Sequence, residues 1–141
     1  MPDDRPRIAG LLETALYVDG MARAIAFYRD VLGLAPMIET PRLTAFDAGR
    51  SGVLLVFRRG ATLEDMTDER GTVPGHDGAG PLHMAFAIER ADLDRWRAHL
   101  ADHGVPIYSE MSWARGGASL YFHDPDGHVI ELATPGLWPN Y

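Results

Sequence analysis

Two carboxylates and one imidazole stand in strand-like stretches of the sequence: Glu13 in "LLETALYV", His83 in "PLHMAFAIE" and Glu131 in "GHVIELATPG". Carboxylate oxygens and a neutral imidazole nitrogen are metal ligands, and three of them leave coordination positions open for a substrate. Two carboxylates close together repel, and a dication removes that cost. The competing reading is bland. A lone strand histidine is more often a hydrogen-bonded structural residue, and a lone strand glutamate more often faces solvent. What decides between them is whether the fold brings the three side chains onto facing strands.

The elements that would carry them repeat. "LLETALYV" (11–18) alternates, with Leu12, Leu16 and Val18 beside Thr14 on one face and Glu13, Ala15 and Tyr17 on the other. A helix follows at 20–32, "GMARAIAFYRDVL", capped by Asp19 and stopped by Gly33. Strands are predicted near 36–40, 42–48 and 52–58. The stretch 81–89 alternates like the first, and Leu82, Met84, Phe86 and Ile88 lie opposite His83. A helix over 91–104 and strands at 105–110, 117–123 and 128–134 complete the second set. The order is βαβββ twice, an α+β fold with an internal repeat that takes Glu13 onto His83 by a 70-residue shift. Laying "SGVLLVF" over "DGHVIEL" puts Val56 on Glu131. The parts are a lead-in (1–10), a first module (11–58), a Gly-rich aperiodic linker loop (59–80), a second module (81–134) and a tail (135–141).

The turn "DPDG" (124–127) settles the face of Glu131. Pro at the second position and a left-handed Gly fit a type I turn with a G1 bulge. The bulge makes Asp124 oppose His128, so His123 faces Val129, Tyr121 faces Glu131 and Ser119 faces Ala133. Without it, Glu131 would face Leu120. Tyr121 and Glu131 are therefore cross-strand neighbours, while Leu120, Phe122, Ile130 and Leu132 pack under helices. The other histidines (His76, His99, His103, His123 and His128) are read as loop, helix-surface, helix-end and hairpin-tip residues. Trp96 is read as helix core, and Trp113 and Arg115 as members of a loop beside the pocket.

Composition excludes several chemistries. The 141 residues contain no Cys, so disulfides, thiolate metal sites and a Cys nucleophile are absent. All thirteen cationic residues are Arg, which removes Schiff-base chemistry and a P-loop lysine. A net charge of −7 without a basic run argues against nucleic acid and anionic membrane as partners. No apolar leader and no 18-residue apolar run occur, so a soluble cytoplasmic protein is expected. The open edges of such sheets invite pairing, and a homodimer is expected.

The tandem modules, "FYRDVLGL" in the first helix and "SLYFHDPDGHVIEL" near the end resemble the vicinal oxygen chelate superfamily over about residues 11–134. That group contains glyoxalase I, extradiol dioxygenases, fosfomycin-modifying enzymes and bleomycin-binding proteins. The resemblance implies curved mixed sheets around a central cup, helices on the outer face, and a divalent metal held by Glu13, His83 and Glu131. The fourth ligand position of glyoxalase I falls on Val56, which cannot ligate. Tyr121 matches an active-site tyrosine of the fosfomycin-modifying members. The relatives close the cup within one chain or across two. Glu13 stands where many members have His, and a set of two carboxylates and one imidazole suits Mn, Mg, Ni, Co or Zn.

The expected function is thus a metal-dependent enzyme of isomerase or lyase type acting on a small oxygen-chelating metabolite. Glu13 or Glu131 would serve as base, Tyr121 as hydrogen-bond donor, and Tyr17, Trp113, Arg115 and Ser119 as substrate contacts. The alternatives are a metal-free drug- or metabolite-sequestering protein of the bleomycin-resistance type and an extradiol dioxygenase. The dioxygenase is disfavoured because its pattern is two His and one carboxylate. Fosfomycin modification is disfavoured because the chain has no Lys, and no Arg at 128–141, to meet a phosphonate.

Overall fold

The computed structural model describes residues 4–141; positions 1–3 of the expected lead-in lie outside the described residues. In chain order the elements are β1 (Glu13–Val18), α1 (Met21–Ala26), β2 (Ala35–Glu39), β3 (Leu43–Asp47), β4 (Val53–Arg58), β5 (Met66–Asp68), β6 (Gly71–Val73), β7 (His83–Ala87), α2 (Leu93–Asp102), β8 (Ser109–Ser112), β9 (Ala118–His123) and β10 (Val129–Ala133). Two four-stranded sheets result, ordered β1-β4-β3-β2 and β7-β10-β9-β8. In each, the first strand runs parallel to the last, and the other pairings are antiparallel. The repeat is therefore real at the level of topology. Among the described residues no helix is long and apolar enough to cross a membrane.

Three local features differ from the expectation. The first helix is a short α turn that widens into a π turn at Phe27–Val31, closed by the Leu32 amide on the Phe27 carbonyl at 3.2 Å. The wider turn lets Phe27, Tyr28 and Val31 all point inward. Gly33, at φ 71°, then ends it. The linker is not structureless: β5 and β6 form a hairpin whose apolar Met66 and Val73 stay exposed, which explains why periodicity missed it. Finally, β8 starts at Ser109, later than predicted, because Val105 and Ile107 turn into the core before the strand begins.

One core joins both modules. Tyr28 packs on Phe46 of β3 with ring centres 5.9 Å apart, and Phe27 packs on Phe122 of β9 at 6.2 Å. Tyr28, Phe46, Phe122, Leu120 and Ile130 are all fully buried, each contributing about 1.5–3 kcal/mol by leaving water. The helix layer thus covers the faces opposite Tyr121 and Glu131.

The 124–128 turn clasps the modules. Its bulged form is as expected: the Gly127 amide reaches the Asp124 carbonyl at 3.0 Å, Gly127 has φ 87°, and Asp124 pairs with His128. Asp124 Oδ1 accepts the amides of Asp126 and His128, while Oδ2 accepts the Tyr28 hydroxyl at 2.7 Å. His128 is no solvated hairpin tip; it is 1 % exposed. Its Nδ1 accepts the Leu82 amide at 2.9 Å, so Nε2 carries the proton and donates to the Tyr17 carbonyl at 2.8 Å. The turn folds back onto β1, and burial follows. Burial and the Asp124 carboxylate push the Tyr28 phenol far above its ordinary range, so it is always a donor. Tyr28→Phe leaves Asp124 short of one partner in a dry site, and is expected to cost about 1–3 kcal/mol in urea unfolding. A loss near zero would mean that the clasp does not hold the modules.

Candidate metal site on the second sheet

Strand alternation and register place the side chains. β10 runs between β7 and β9, with Val129 flanked by His83 and His123, and Glu131 flanked by Ala85 and Tyr121. His83, Tyr121, His123, Ser119 and Glu131 therefore share the face away from the helices. Glu131 is only 4 % exposed, and its ion-pair partner among the described residues is an imidazole, not a guanidinium. Its Oε2 accepts the Ser119 hydroxyl at 2.5 Å, and Ser119 Oγ in turn accepts the Trp113 indole N–H at 2.8 Å. Its Oε1 lies 3.3 Å from His83 Nε2. His83 Nδ1 stands 3.0 Å from the Val129 carbonyl, which can only accept, so Nδ1 carries a proton and Nε2 is the ring nitrogen turned toward Glu131, free to ligate whenever it is unprotonated.

This donor set fits a dication. A buried carboxylate is ordinarily paired or bound to metal, and the ion-pair partner seen for this one among the described residues is the His83 imidazole. A 3.3 Å gap between Nε2 and Oε1 is a span that two ligands of one ion keep when each sits about 2.0–2.2 Å from it. Tyr121 is raised above its ordinary value, first by burial and then by the Glu131 charge and hydrogen bond, with Ser119 opposing. It is held as a neutral donor.

Glu13 is elsewhere. It opens β1, is exposed, and lines a groove of about 510 Å³ with Ala85 to Glu89, whereas the Tyr17 end of β1 meets Leu82 through His128. Among the described residues no three His, Asp or Glu side chains are near enough to share an ion. One chain thus brings together His83 and Glu131, with Tyr121 and Ser119 around them, but not Glu13. Arg115 is exposed on the Trp113–Gly117 turn, and its guanidinium has no partner among the described residues. Tyr17 is buried under the linker: its hydroxyl meets His76 Nδ1 at 2.6 Å, and a side chain at Gly78 would collide with its ring.

Register also corrects the repeat alignment. Glu13 pairs with Val53 as His83 pairs with Val129, and Ala15 with Leu55 as Ala85 with Glu131. The counterpart of Glu131 is Leu55; Val56 is wholly buried in the core. The two hairpins have the same length, since Ala48 pairs with Gly52 as Asp124 pairs with His128, but their last glycines sit one position apart. Matching glycine to glycine caused the slip. Leu55, like Val56, cannot ligate.

Comparison with known proteins agrees with this architecture. The Glyoxalase/Bleomycin resistance protein/Dioxygenase superfamily matches residues 10–132. The chain belongs to this superfamily. Within it, metallothiol transferase FosB of Bacillus licheniformis is 30 % identical over 133 residues, covering 94 % of this chain and 79 % of that protein. Glutathione transferase FosA of Serratia marcescens is 26 % identical over 130 residues, covering 92 % and 84 %. The crystal structure of lactoylglutathione lyase from Agrobacterium tumefaciens matches with a TM-score of 0.86 and 30 % identity, over 95 % of this chain and 99 % of that one. The superfamily's curved mixed sheets and outer helices are the architecture described above.

Sequence reasoning passed over His123, although its own strand count put it two residues from Tyr121 on the same face. It also passed over His76, which no local pattern marks. The Tyr121–Glu131 pair makes a direct prediction. Removing the Glu131 charge in Glu131→Gln should lower the Tyr121 pKa, leaving it above the usual phenol value because burial remains. Ultraviolet titration of phenolate absorbance measures this; an unchanged or higher Tyr121 value would mean that the two side chains are not coupled.

Proposed function

We propose that the protein is a metal-dependent thiol transferase acting on a small electrophile that carries vicinal oxygens. It would work as a homodimer in which His83 and Glu131 of one chain and Glu13 of the second hold one dication. The observation that carries this reading is the buried Glu131 beside an imidazole whose Nε2 is turned toward it. Glu13 is exposed at the start of an edge strand, where a second copy can reach it.

A bound dication supplies Lewis-acid polarisation of the substrate oxygens. The chain's own residues do the rest. Ser119 and Trp113 hold the Glu131 carboxylate in one orientation. Tyr121, kept protonated, donates to the oxygen on which charge develops. Arg115, unpaired on the neighbouring turn, can meet an anionic end of the substrate.

Thiol transfer replaces the expected isomerase or lyase chemistry for two reasons. The curated relatives named above are transferases of thiols. An isomerase that frees a ligand carboxylate as its base also needs ligands to spare, and Leu55 leaves the fourth position empty of any donor. Lys is absent and 128–141 contain no Arg, so the anionic end of a substrate rests on Arg115 alone among the residues of the proposed site, and fosfomycin enters the test as one candidate.

Calorimetry with Mn²⁺, Ni²⁺ and Zn²⁺ tests the site. Glu13→Ala, His83→Ala and Glu131→Gln should each weaken binding by more than the 10–100-fold typical of a lost supporting residue. Binding should fade as pH falls, because protons compete for the ligands, and bound metal should raise Tm in the wild type alone. Mixing Glu13→Ala chains with His83→Ala chains should restore one site per dimer; no restoration would place the site within one chain or nowhere. Metal-loaded protein given mercaptoethanol or glutathione and a panel of small epoxides, fosfomycin included, should yield a thioether by mass spectrometry. Metal binding without any thiol consumption would reject the transferase. Absence of metal binding would leave a ligand-sequestering protein.

A further inference from the structure

We infer that His123 accepts the proton of the incoming thiol, an assignment that rests on the transferase reading and adds a catalytic residue to it. Five of the six histidines have a ring nitrogen committed to a neighbour. His76 meets the Tyr17 hydroxyl, His83 the Val129 carbonyl, His99 the Val31 carbonyl, His103 the His99 carbonyl, and His128 both Tyr17 and Leu82. His123 alone has no hydrogen bond or ion pair among the described residues. It is nevertheless on the face that carries Tyr121 and Glu131, in register with Val129, which His83 flanks from the other side. A strand places its side chain about 6–7 Å along from that of Tyr121. This leaves room for one sulfur between His123 and a substrate lying against Tyr121.

The ring is exposed but braced. Tyr108 packs against it edge-on, with centres 5.1 Å apart and planes at 86°. The charged and titratable groups around it are few. Tyr121 shares its strand, Glu131 and then His83 lie across β10, and Tyr108 precedes β8. Asp124 follows it in sequence, but that carboxylate is buried and taken by Tyr28 and two amides. Glu110 of β8 is paired with Arg97. Among the described residues no guanidinium contacts the imidazole, and the residue is open to solvent. A chain without cysteine must draw its thiol from solution, and an ordinary thiol is mostly protonated at neutral pH. Imidazole is the side chain whose normal range suits this work.

The step balances. The S–H proton passes to the free imidazole nitrogen while sulfur's electron pair forms the C–S bond. With an epoxide as the electrophile, one C–O bond of its ring breaks with its pair going to oxygen, and the imidazolium returns the proton to that alkoxide. One thiol and one epoxide give one hydroxy-thioether, and His123 ends as it began.

The test uses metal-loaded dimer, the epoxide that the wild type consumes, and two thiols. Mercaptoethanol needs deprotonation; thionitrobenzoate is already ionised. His123→Ala and His123→Gln should lower the mercaptoethanol rate by about 10²-fold or more and, with metal kept saturating, move the acid limb of its pH profile up towards the thiol's own ionisation. With thionitrobenzoate both variants should stay within about threefold of wild type, and calorimetric metal affinity should not change. Equal losses with both thiols, or none with mercaptoethanol, would overturn the assignment while leaving the transferase standing. A wild type that binds metal but consumes neither thiol overturns both.

Discussion

The bulged turn at 124–128 is the constraint on which the rest depends. It does two things at once. Its length sets the register of β9 against β10, and register decides that Glu131 faces Tyr121 and not the core. Its side chains then dock on the first module, through Asp124 on Tyr28 and His128 on the Tyr17 carbonyl. Local turn chemistry and the packing of the modules are thereby tied together. A buried carboxylate, a buried imidazole and a buried phenol are tolerable there because each finds a partner.

Away from that clasp, polarity is concentrated on one sheet face. The Glu131 carboxylate sits where a leucine would pack, and the counterpart position in the first module is a leucine. The cost of that exchange is offset by the Ser119 and Tyr121 hydroxyls rather than by an arginine. A guanidinium would have satisfied the charge and closed the site. An imidazole held at Nδ1 instead keeps Nε2 turned toward the carboxylate, so the two side chains converge without closing on each other.

The sequence made the fold legible because the strands alternate and the turn residues are specific. "DPDG" predicted its bulge and, through it, the facing of Tyr121 and Glu131, and the 70-residue shift of Glu13 onto His83 holds in the strand register. Less was legible where a residue's environment comes from distant chain. Nothing local says that His128 will be buried, because its partners, Tyr17 and Leu82, are 111 and 46 residues away. The linker hairpin of β5 and β6 buries almost nothing, so it leaves no apolar period to read. Leu55, not Val56, is the counterpart of Glu131 because the two hairpins share a length while their last glycines sit one position apart. The separation of Glu13 from His83 and Glu131 within one chain was not legible at all: strand periodicity assigns a face, not the distance between two modules.

The matching hairpins bear on how such a repeat can diverge. Both join their strands through five residues, one written "AGRSG" and the other "DPDGH". Every position differs, yet the length is kept, because one residue more or fewer would turn a whole strand inside out. Substitutions are therefore cheap in these turns, and insertions or deletions are not. A lineage can exchange leucine for glutamate at position 55, or the reverse at 131, without disturbing the frame that presents it. Halves of one protein can in this way drift to opposite chemistries, one apolar and one carrying a buried carboxylate, while keeping the same strand register.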